Sequence, residues 1–344
     1  MRRIIGVNPA IVPEPAAARA APEVRRVRID EASEGQRLDN FLVKLLKGVP
    51  KTHVYRVIRS GEVRVNKGRA SADTRLALGD EVRVPPVRVA DRADTPHAPA
   101  REFPVVYEDD LLLAIDKPAG VAVHGGSGVS SGVIEQLRQA RPDAAFLELV
   151  HRLDKETSGL LLIAKRRSAL VALQDQLRQR SGEHVIGKTY SALVIGTWPA
   201  RRKVIDVALH KFLTTQGERR VQAVAPEHDQ GRRSITLVRV AQAFLGYTLL
   251  DVTIKTGRTH QIRVHLTHEG HAIVGDEKYG DFELNKAIAR GQAVPNCRFE
   301  RMFLHARRLR FTHPGTGAVI DLTAPLPSEC TTLLDALTPV HAPP

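Results

Sequence analysis

The stretch LVHRLDKETSGLLLIAK, residues 149–165, sets the frame for everything around it. Its second half, Leu160 to Ala164, is an unbroken aliphatic run behind a glycine, the pattern of a buried β-strand. Its first half is polar and places a carboxylate, Asp154, between two basic residues, Arg152 and Lys155. Thr157, Ser158 and Gly159 anchor the point where this polar segment enters the strand. A carboxylate fixed at a strand mouth serves chemistry or a structural ion pair, and a lone Arg-x-Asp favours the ion pair. The rest of the chain decides between the two.

At 344 residues, with 42% hydrophobic and 26% charged, the chain is globular and long enough for more than one domain. Lys and Arg number 51 against 38 Asp and Glu, a formal charge of +13 that favours a polyanionic partner, most often nucleic acid. A membrane partner is disfavoured, because the longest aliphatic run falls far short of the roughly 20 residues a span requires. Pro9, Pro13 and Pro15 interrupt any apolar core that a secretion signal would need, so residues 1–23 read as a disordered extension. Two cysteines, Cys297 and Cys330, suit a reducing cytoplasm better than a disulfide framework.

Residues 24–86 read as a compact basic module. Leu38, Phe41, Leu42, Leu45 and Leu46 lie at helical spacing until Gly48 and Pro50 stop them. A second short helix places Val54, Val57 and Ile58 on one side and Lys51, Arg56 and Arg59 on the other. The alternating segments EVRVN and DEVRVP follow as strands. Basic residues recur on the helix, in the strand (Arg64) and in the turn (Lys67, Arg69), so one fold is expected to gather them into a patch that follows phosphates. Residues 87–102, rich in Pro and Ala and without period, read as a linker. From 103 to 335 short strands and helices mix without regular alternation, which argues an α+β domain on a mixed, largely antiparallel sheet, with a flexible tail over 336–344.

Within that second domain KTGRTHQIRVHLTHEGH, residues 255–271, reads as a strand end, a glycine turn and a helix starting near Thr259. Arg258 is expected to enter the helix and Arg263 to lie one turn on, with Ile262 and Leu266 sharing a face. Two arginines at a helix start can bind a phosphate or hold a carboxylate. The histidines at 260, 265, 268 and 271 lack the zincin spacing and have no cysteine pair nearby, so no metal is expected. Tyr190, in GKTYSALV, stands at the head of an alternating strand and suits either a sheet surface or stacking on a base. Leu304 and His305, in FLHARRLRFTHP, are placed to line a pocket beside a strand. VHGGSGVSSG, residues 123–132, matches neither nucleotide-loop pattern and reads as a substrate-facing loop, so no cofactor is expected. No G-x-S-x-G elbow and no persuasive cysteine nucleophile occur.

HRLDKETSG, KTGRTHQIRVH, KTYSALV and LHARRL together resemble the RluA family of pseudouridine synthases. RLDNFL, RSGEVRVN and GDEVRVP resemble the S4 RNA-binding domain. The resemblance implies isomerisation of selected uridines in 23S ribosomal RNA, without metal or cofactor. It assigns Asp154 as the nucleophile acting on a flipped-out uridine, with Arg263 as its guanidinium partner. Tyr190 would stack on the base and help remove the C5 proton, and Arg152 would enter the gap left in the RNA stack. His151, Lys255, Arg258, Ile262 and Leu304 are expected on the substrate side, and Lys51, Arg56, Arg59, Arg64 and Lys67 on the RNA side of the S4 module. Attack on the base, attack on the ribose C1′ and a glycal intermediate all stay open. A monomer is expected. The other readings are a sister synthase with different target uridines and a noncatalytic S4-type ribosome-assembly factor.

Overall fold

A short basic strand, β1 (Arg25–Arg28), leads into the segment where Leu38, Phe41 and Leu42 repeat at the helical period; that segment is α1 (Leu38–Leu45), with all three side chains buried. This computed structural model describes residues 23–46, 48–87, 98–125, 131–179, 186–215 and 217–340. The chain divides into two compact units, residues 1–95 and 96–344. All of the expected N-terminal extension but Glu23, most of the expected linker and the centre of the 123–132 loop fall outside the described residues.

In the first unit α1 is followed by α2 (Lys51–Arg59), β2 (Arg64–Val65), β3 (Gly68–Arg69) and β4 (Glu81–Val84). The strands form an antiparallel sheet in the order β1-β4-β2-β3. The EVRVN strand is shorter than its alternation suggests, because Asn66 and Lys67 both take left-handed backbone and turn the chain at once into β3. Val54, Val57 and Ile58 of α2 pack with Leu38, Leu42, Val82 and Val84 into one small core. Asp39 ties the helices together, taking the Arg37 guanidinium and the Tyr55 hydroxyl of α2 on its buried carboxylate.

The second unit opens with β5 (Val105–Glu108), β6 (Leu112–Lys117), α3 (Val133–Ala140), β7 (Glu148–Leu149) and β8 (Ser158–Ala164). Next come α4 (Arg167–Arg178), β9 (Gly187–Ile195), β10 (Val204–Leu213), β11 (Arg219–Val224), β12 (Arg232–Phe244) and β13 (Tyr247–Ile254). It closes with α5 (Gln261–His268), α6 (Phe282–Ala289), β14 (Leu304–Thr312), β15 (Val319–Thr323) and α7 (Ser328–Ala336). The eleven strands make one mixed sheet with the path β11-β10-β12-β13-β9-β14-β8-β6-β5, β15 adding to β14 and β7 to β8. Every pairing is antiparallel except β14 with β8, so the architecture is the α+β one that the irregular alternation implied.

Three expectations need correction. The helix α5 begins at Gln261, not near Thr259, because His260 sits in the left-handed region (φ 53°, ψ 22°) and a first helical turn cannot include it; Arg258 therefore precedes the helix. Strand β9 does not alternate: it lies between β13 and β14 and is buried on both faces from Tyr190 to Val194. Of the tail expected to be flexible over 336–344, the part up to residue 340 is held, since the Leu245 amide donates to the Thr338 carbonyl and the Val340 amide to the Ala243 carbonyl; residues 341–344 lie outside the described residues.

Candidate active site

Asp154 lies in the loop between β7 and β8, and three contacts fix that loop. Gly159 (φ 106°) lets β8 approach β14 so closely that a Cβ there would stand 2.4 Å from the Ala306 carbonyl oxygen. Ser158 Oγ bonds His305 Nδ1 at 2.9 Å and accepts from Arg301 at 2.7 Å. Lys117, fully buried, donates its ammonium to the carbonyls of Pro118, Val121 and Lys155, the last next to the carboxylate. Burial brings the Lys117 pKa down to about 7, and the three carbonyls offset part of that cost.

The nearest cation to Asp154 is Arg263, whose Nη1 stands 3.5 Å from Oδ2. Arg263 is itself held: Nε and Nη2 each donate to the Asp276 carboxylate at 2.7 Å, a bidentate fork that fixes the guanidinium plane. Burial works against the Asp276 charge, but the paired guanidinium and the amides of Lys278 and Tyr279 outweigh it, and its carboxyl lies below the usual carboxylate range. The Tyr279 ring covers the other side of Arg263, 5.0 Å from the guanidinium carbon. His260 Nε2 is 4.0 Å from the same Asp154 oxygen. The loop that carries it is stitched down by Gln261, whose side chain takes the Thr256 hydroxyl and the Arg258 amide and donates to Ile235 and Thr236 of β12.

Asp154 and Arg263 face a cavity of about 500 Å³. Tyr190, Arg152, Lys255, Arg258, Ile262 and Leu304 line it as well, so the segments quoted from the sequence meet at one place. Ile262 and Leu304 are buried wall, whereas Arg152, Lys255 and Arg258 are exposed at the rim. Burial, and then the Asp154 charge, push the Tyr190 phenol well above its ordinary value, so it is protonated at neutral pH. His151 lines the cavity and accepts the Leu162 amide of β8 on Nε2 at 3.2 Å; burial pushes its pKa down to about 3, so its ring is neutral. His305 faces Ser158 and Ala324 in the interior and does not line the cavity.

Several residues of this site were missed in the sequence: Lys188, which lines the cavity with an ammonium whose pKa burial lowers, and the group Asp276, Tyr279 and His260. Asp276 and Tyr279 lie in VGDEKYGD, a turn whose mixture of acid and glycine signals only a loop. A second, larger groove of about 860 Å³ adjoins the cavity and shares Arg152, Asp154, His260 and Arg263 with it.

In the first unit Arg26, Arg83, Arg64 and Arg69 face one another in a single row across the four strands. Arg64 and Lys67 line a shallow depression of about 370 Å³ with Arg26 and Arg83. Like charges opposed in a sheet repel, and a bridging phosphate turns that repulsion into binding. Lys51, Arg56 and Arg59 lie on the exposed side of α2, outside that depression. Among the described residues no cluster of three His, Cys, Asp or Glu is arranged for a metal, and no helix is long and apolar enough to cross a membrane.

Comparison with known proteins gives the same two units. Residues 36–82 match the model of the S4 domain, and residues 111–268 match that of the RNA pseudouridylate synthases. The chain is 48% identical over 89% of its length to the ribosomal large subunit pseudouridine synthase C of Escherichia coli strain K12, covering 94% of that protein. It is 46% identical over 92% of its length to the protein of the same name from Salmonella typhi, covering 97% of it. The solved structure of human RNA pseudouridylate synthase domain containing 1 shares the fold at a TM-score of 0.55 and 24% identity, over 73% of this chain and 92% of that one. The chain therefore belongs to the RNA pseudouridylate synthase family, with an S4 domain ahead of the synthase domain.

Proposed function

We propose that this chain isomerises uridine to pseudouridine in the 23S RNA of the large ribosomal subunit, with Asp154 as the nucleophile. The observation that carries the assignment is the charge arrangement at the cavity floor. One carboxylate lies 3.5 Å from a guanidinium that Asp276 holds by two of its other donors, which orients the pair in a space suited to one extruded nucleotide. The names of the relatives supply the substrate.

The reaction breaks the N1–C1′ bond, forms a C5–C1′ bond to the same ribose and moves the C5 proton away while N1 gains one. Atoms and electrons balance within the nucleotide, so no metal or redox cofactor is required. Tyr190 lines the same cavity as a phenol, its pKa raised first by burial and then by the Asp154 charge, and is placed to stack on the extruded base. Arg152, exposed and two residues from Asp154, enters the gap that the flipped uridine leaves, recovering part of the unstacking cost of a few kcal/mol. Lys255 and Arg258 at the rim hold flanking phosphates, and the S4 unit adds the arginine row, with α2 as a further basic surface. The chain works as a monomer in the cytoplasm, where its two free, buried cysteines stay reduced.

The test maps pseudouridine across large-subunit RNA in cells lacking the protein and in cells given back either wild type or Asp154→Asn. The expected result is loss of specific sites and their return with wild type only. Persistence of every site without the protein, or full restoration by Asp154→Asn, would overturn the assignment. The same map identifies the target uridines and so separates this enzyme from sister synthases.

A further inference from the structure

Tyr279 has two partners for its hydroxyl among the described residues: it accepts the amide of Val221 at 3.1 Å, and it stands 2.8 Å from His260 Nδ1. With the oxygen already accepting from an amide, the phenolic proton is satisfied by pointing at Nδ1, which makes Nδ1 the acceptor. A neutral imidazole bonded in this way carries its proton on Nε2. The ring is neutral because burial, the largest effect, lowers its pKa; the Asp154 charge pulls it back in part, and the Arg263 and Lys278 charges oppose a further cation. Its plane is fixed by the edge-on Tyr279 ring, with centroids 5.5 Å apart, and by the left-handed backbone at His260. The Nε2–H bond therefore faces Asp154 Oδ2 at 4.0 Å, at the junction of the cavity and the adjoining groove.

Arg263 Nη1 also comes nearest to Oδ2. Both donors make their nearest approach to the same oxygen of the carboxylate, short of hydrogen-bond contact, so their tightening would hold Oδ2 and leave Oδ1 for the nucleotide. A charge-assisted hydrogen bond needs 2.7–2.9 Å, and contacts of this kind tighten when the substrate arrives.

We propose that His260 is a positioning residue of this site: a neutral imidazole, locked in its Nε2–H tautomer by the Tyr279 hydroxyl, that joins Arg263 in holding Asp154 Oδ2 so that Oδ1 meets the nucleotide. The proposal rests on the isomerase function above. It also connects the site to the β10–β11 hairpin, because the Val221 amide that orients Tyr279 belongs to β11, and Lys278 Nζ donates to the Arg219 carbonyl of the same strand.

Two measurements on the full-length protein test it. The first follows tritium release from large-subunit RNA transcripts carrying uridine labelled at C5, for wild type, His260→Ala, His260→Gln and Tyr279→Phe. His260→Ala is expected to lower kcat roughly a hundredfold with KM within about twofold, the signature of a misplaced nucleophile. His260→Gln, which keeps an N–H donor at similar reach, should recover most of that loss, and Tyr279→Phe should fall between. The second measurement reads the ring nitrogens of His260 by long-range proton–nitrogen correlation: wild type shows the Nε2–H form at neutral pH, and Tyr279→Phe shows a mixture. Overturning results are a His260→Ala enzyme with wild-type kcat, equal losses in the Ala and Gln variants accompanied by lowered melting temperatures, or a wild-type ring protonated on Nδ1. If wild type itself releases no tritium, the isomerase reading fails, while the nitrogen spectra still decide the tautomer.

Discussion

Arg263 divides one guanidinium between two carboxylates, and the division is unequal: Asp276 holds two donors at 2.7 Å, Asp154 one at 3.5 Å. Asp276 is the structural partner that leaves the weaker contact available for chemistry. Asp276→Asn should strand a buried guanidinium, costing roughly 3–5 kcal/mol of stability, and should lower turnover by about a hundredfold as Arg263 loses its orientation. Because the Asp276 carboxyl lies below the ordinary range, its contribution is complete above about pH 4 and fades as pH falls through the lower folded value. Denaturation of the two proteins at neutral pH and near pH 3 checks this; a difference that stays constant across that range would sink it. Local pattern singled out Asp154, Arg152 and Arg263 as charged residues beside an aliphatic strand or near a helix start, but a lone Arg-x-Asp favours an ion pair, and their roles came from the family resemblance of the segments that carry them. Asp276 and His260 were not legible, since their importance comes from partners far away in the chain and, for His260, from a backbone conformation that residue identity does not announce.

Strand β8 was readable from its unbroken aliphatic run, and its glycine shows how an element places a residue. At Gly159 the backbone is left-handed and faces β14 at a distance that no side chain tolerates. Gly159→Ala should cost about 3 kcal/mol or more and displace the loop that carries Asp154, so that stability and turnover fall together. Thermal melts paired with tritium release check it; a variant with wild-type melting temperature and activity would show that the β8–β14 contact is not required. Other elements were less readable. Strand β9 looked alternating because Lys188, Tyr190 and Ser191 are polar or amphipathic, yet both of its edges are paired in the middle of the sheet and both faces are covered. The hairpin of β10 and β11 left no clear period, since its burial is irregular and β11 lies at the sheet edge. That hairpin supplies the Val221 amide to Tyr279, so part of the active-site support resides in the segment with the weakest sequence signal.

On the scale of the whole molecule, the buried His265 and His305, the half-buried His151 and a strong positive charge govern the response to solution conditions. Burial lowers the pKa of His265 and His305 to about 4 and that of His151 to about 3. Between those values and the ordinary 6.5, the unfolded chain binds protons that the folded chain does not. Stability therefore falls as pH drops through that window, by about 1.4 kcal/mol per pH unit for each histidine. Urea titrations from pH 7 to pH 4.5 should show a loss steeper than carboxylates alone produce, and a flat profile would contradict the buried, neutral assignment. The charge of +13 acts on RNA rather than on folding. In the S4 unit the row Arg26, Arg83, Arg64 and Arg69 carries four cations on one line of the sheet, of which Arg26 is paired with Glu81. If phosphates bridge that row, each contact removed lowers the slope of log affinity against log salt by about 0.7–0.9. An Arg64→Ala, Arg83→Ala double variant should then bind large-subunit RNA more weakly at low salt and show a slope shallower by about 1.4–1.8, without sequence preference, while its melting temperature holds or rises as the repulsion in the row is relieved. An unchanged slope would place the RNA on the exposed side of α2 instead, where Lys51, Arg56 and Arg59 offer the alternative basic surface, and the matching substitutions there would carry the lost slope.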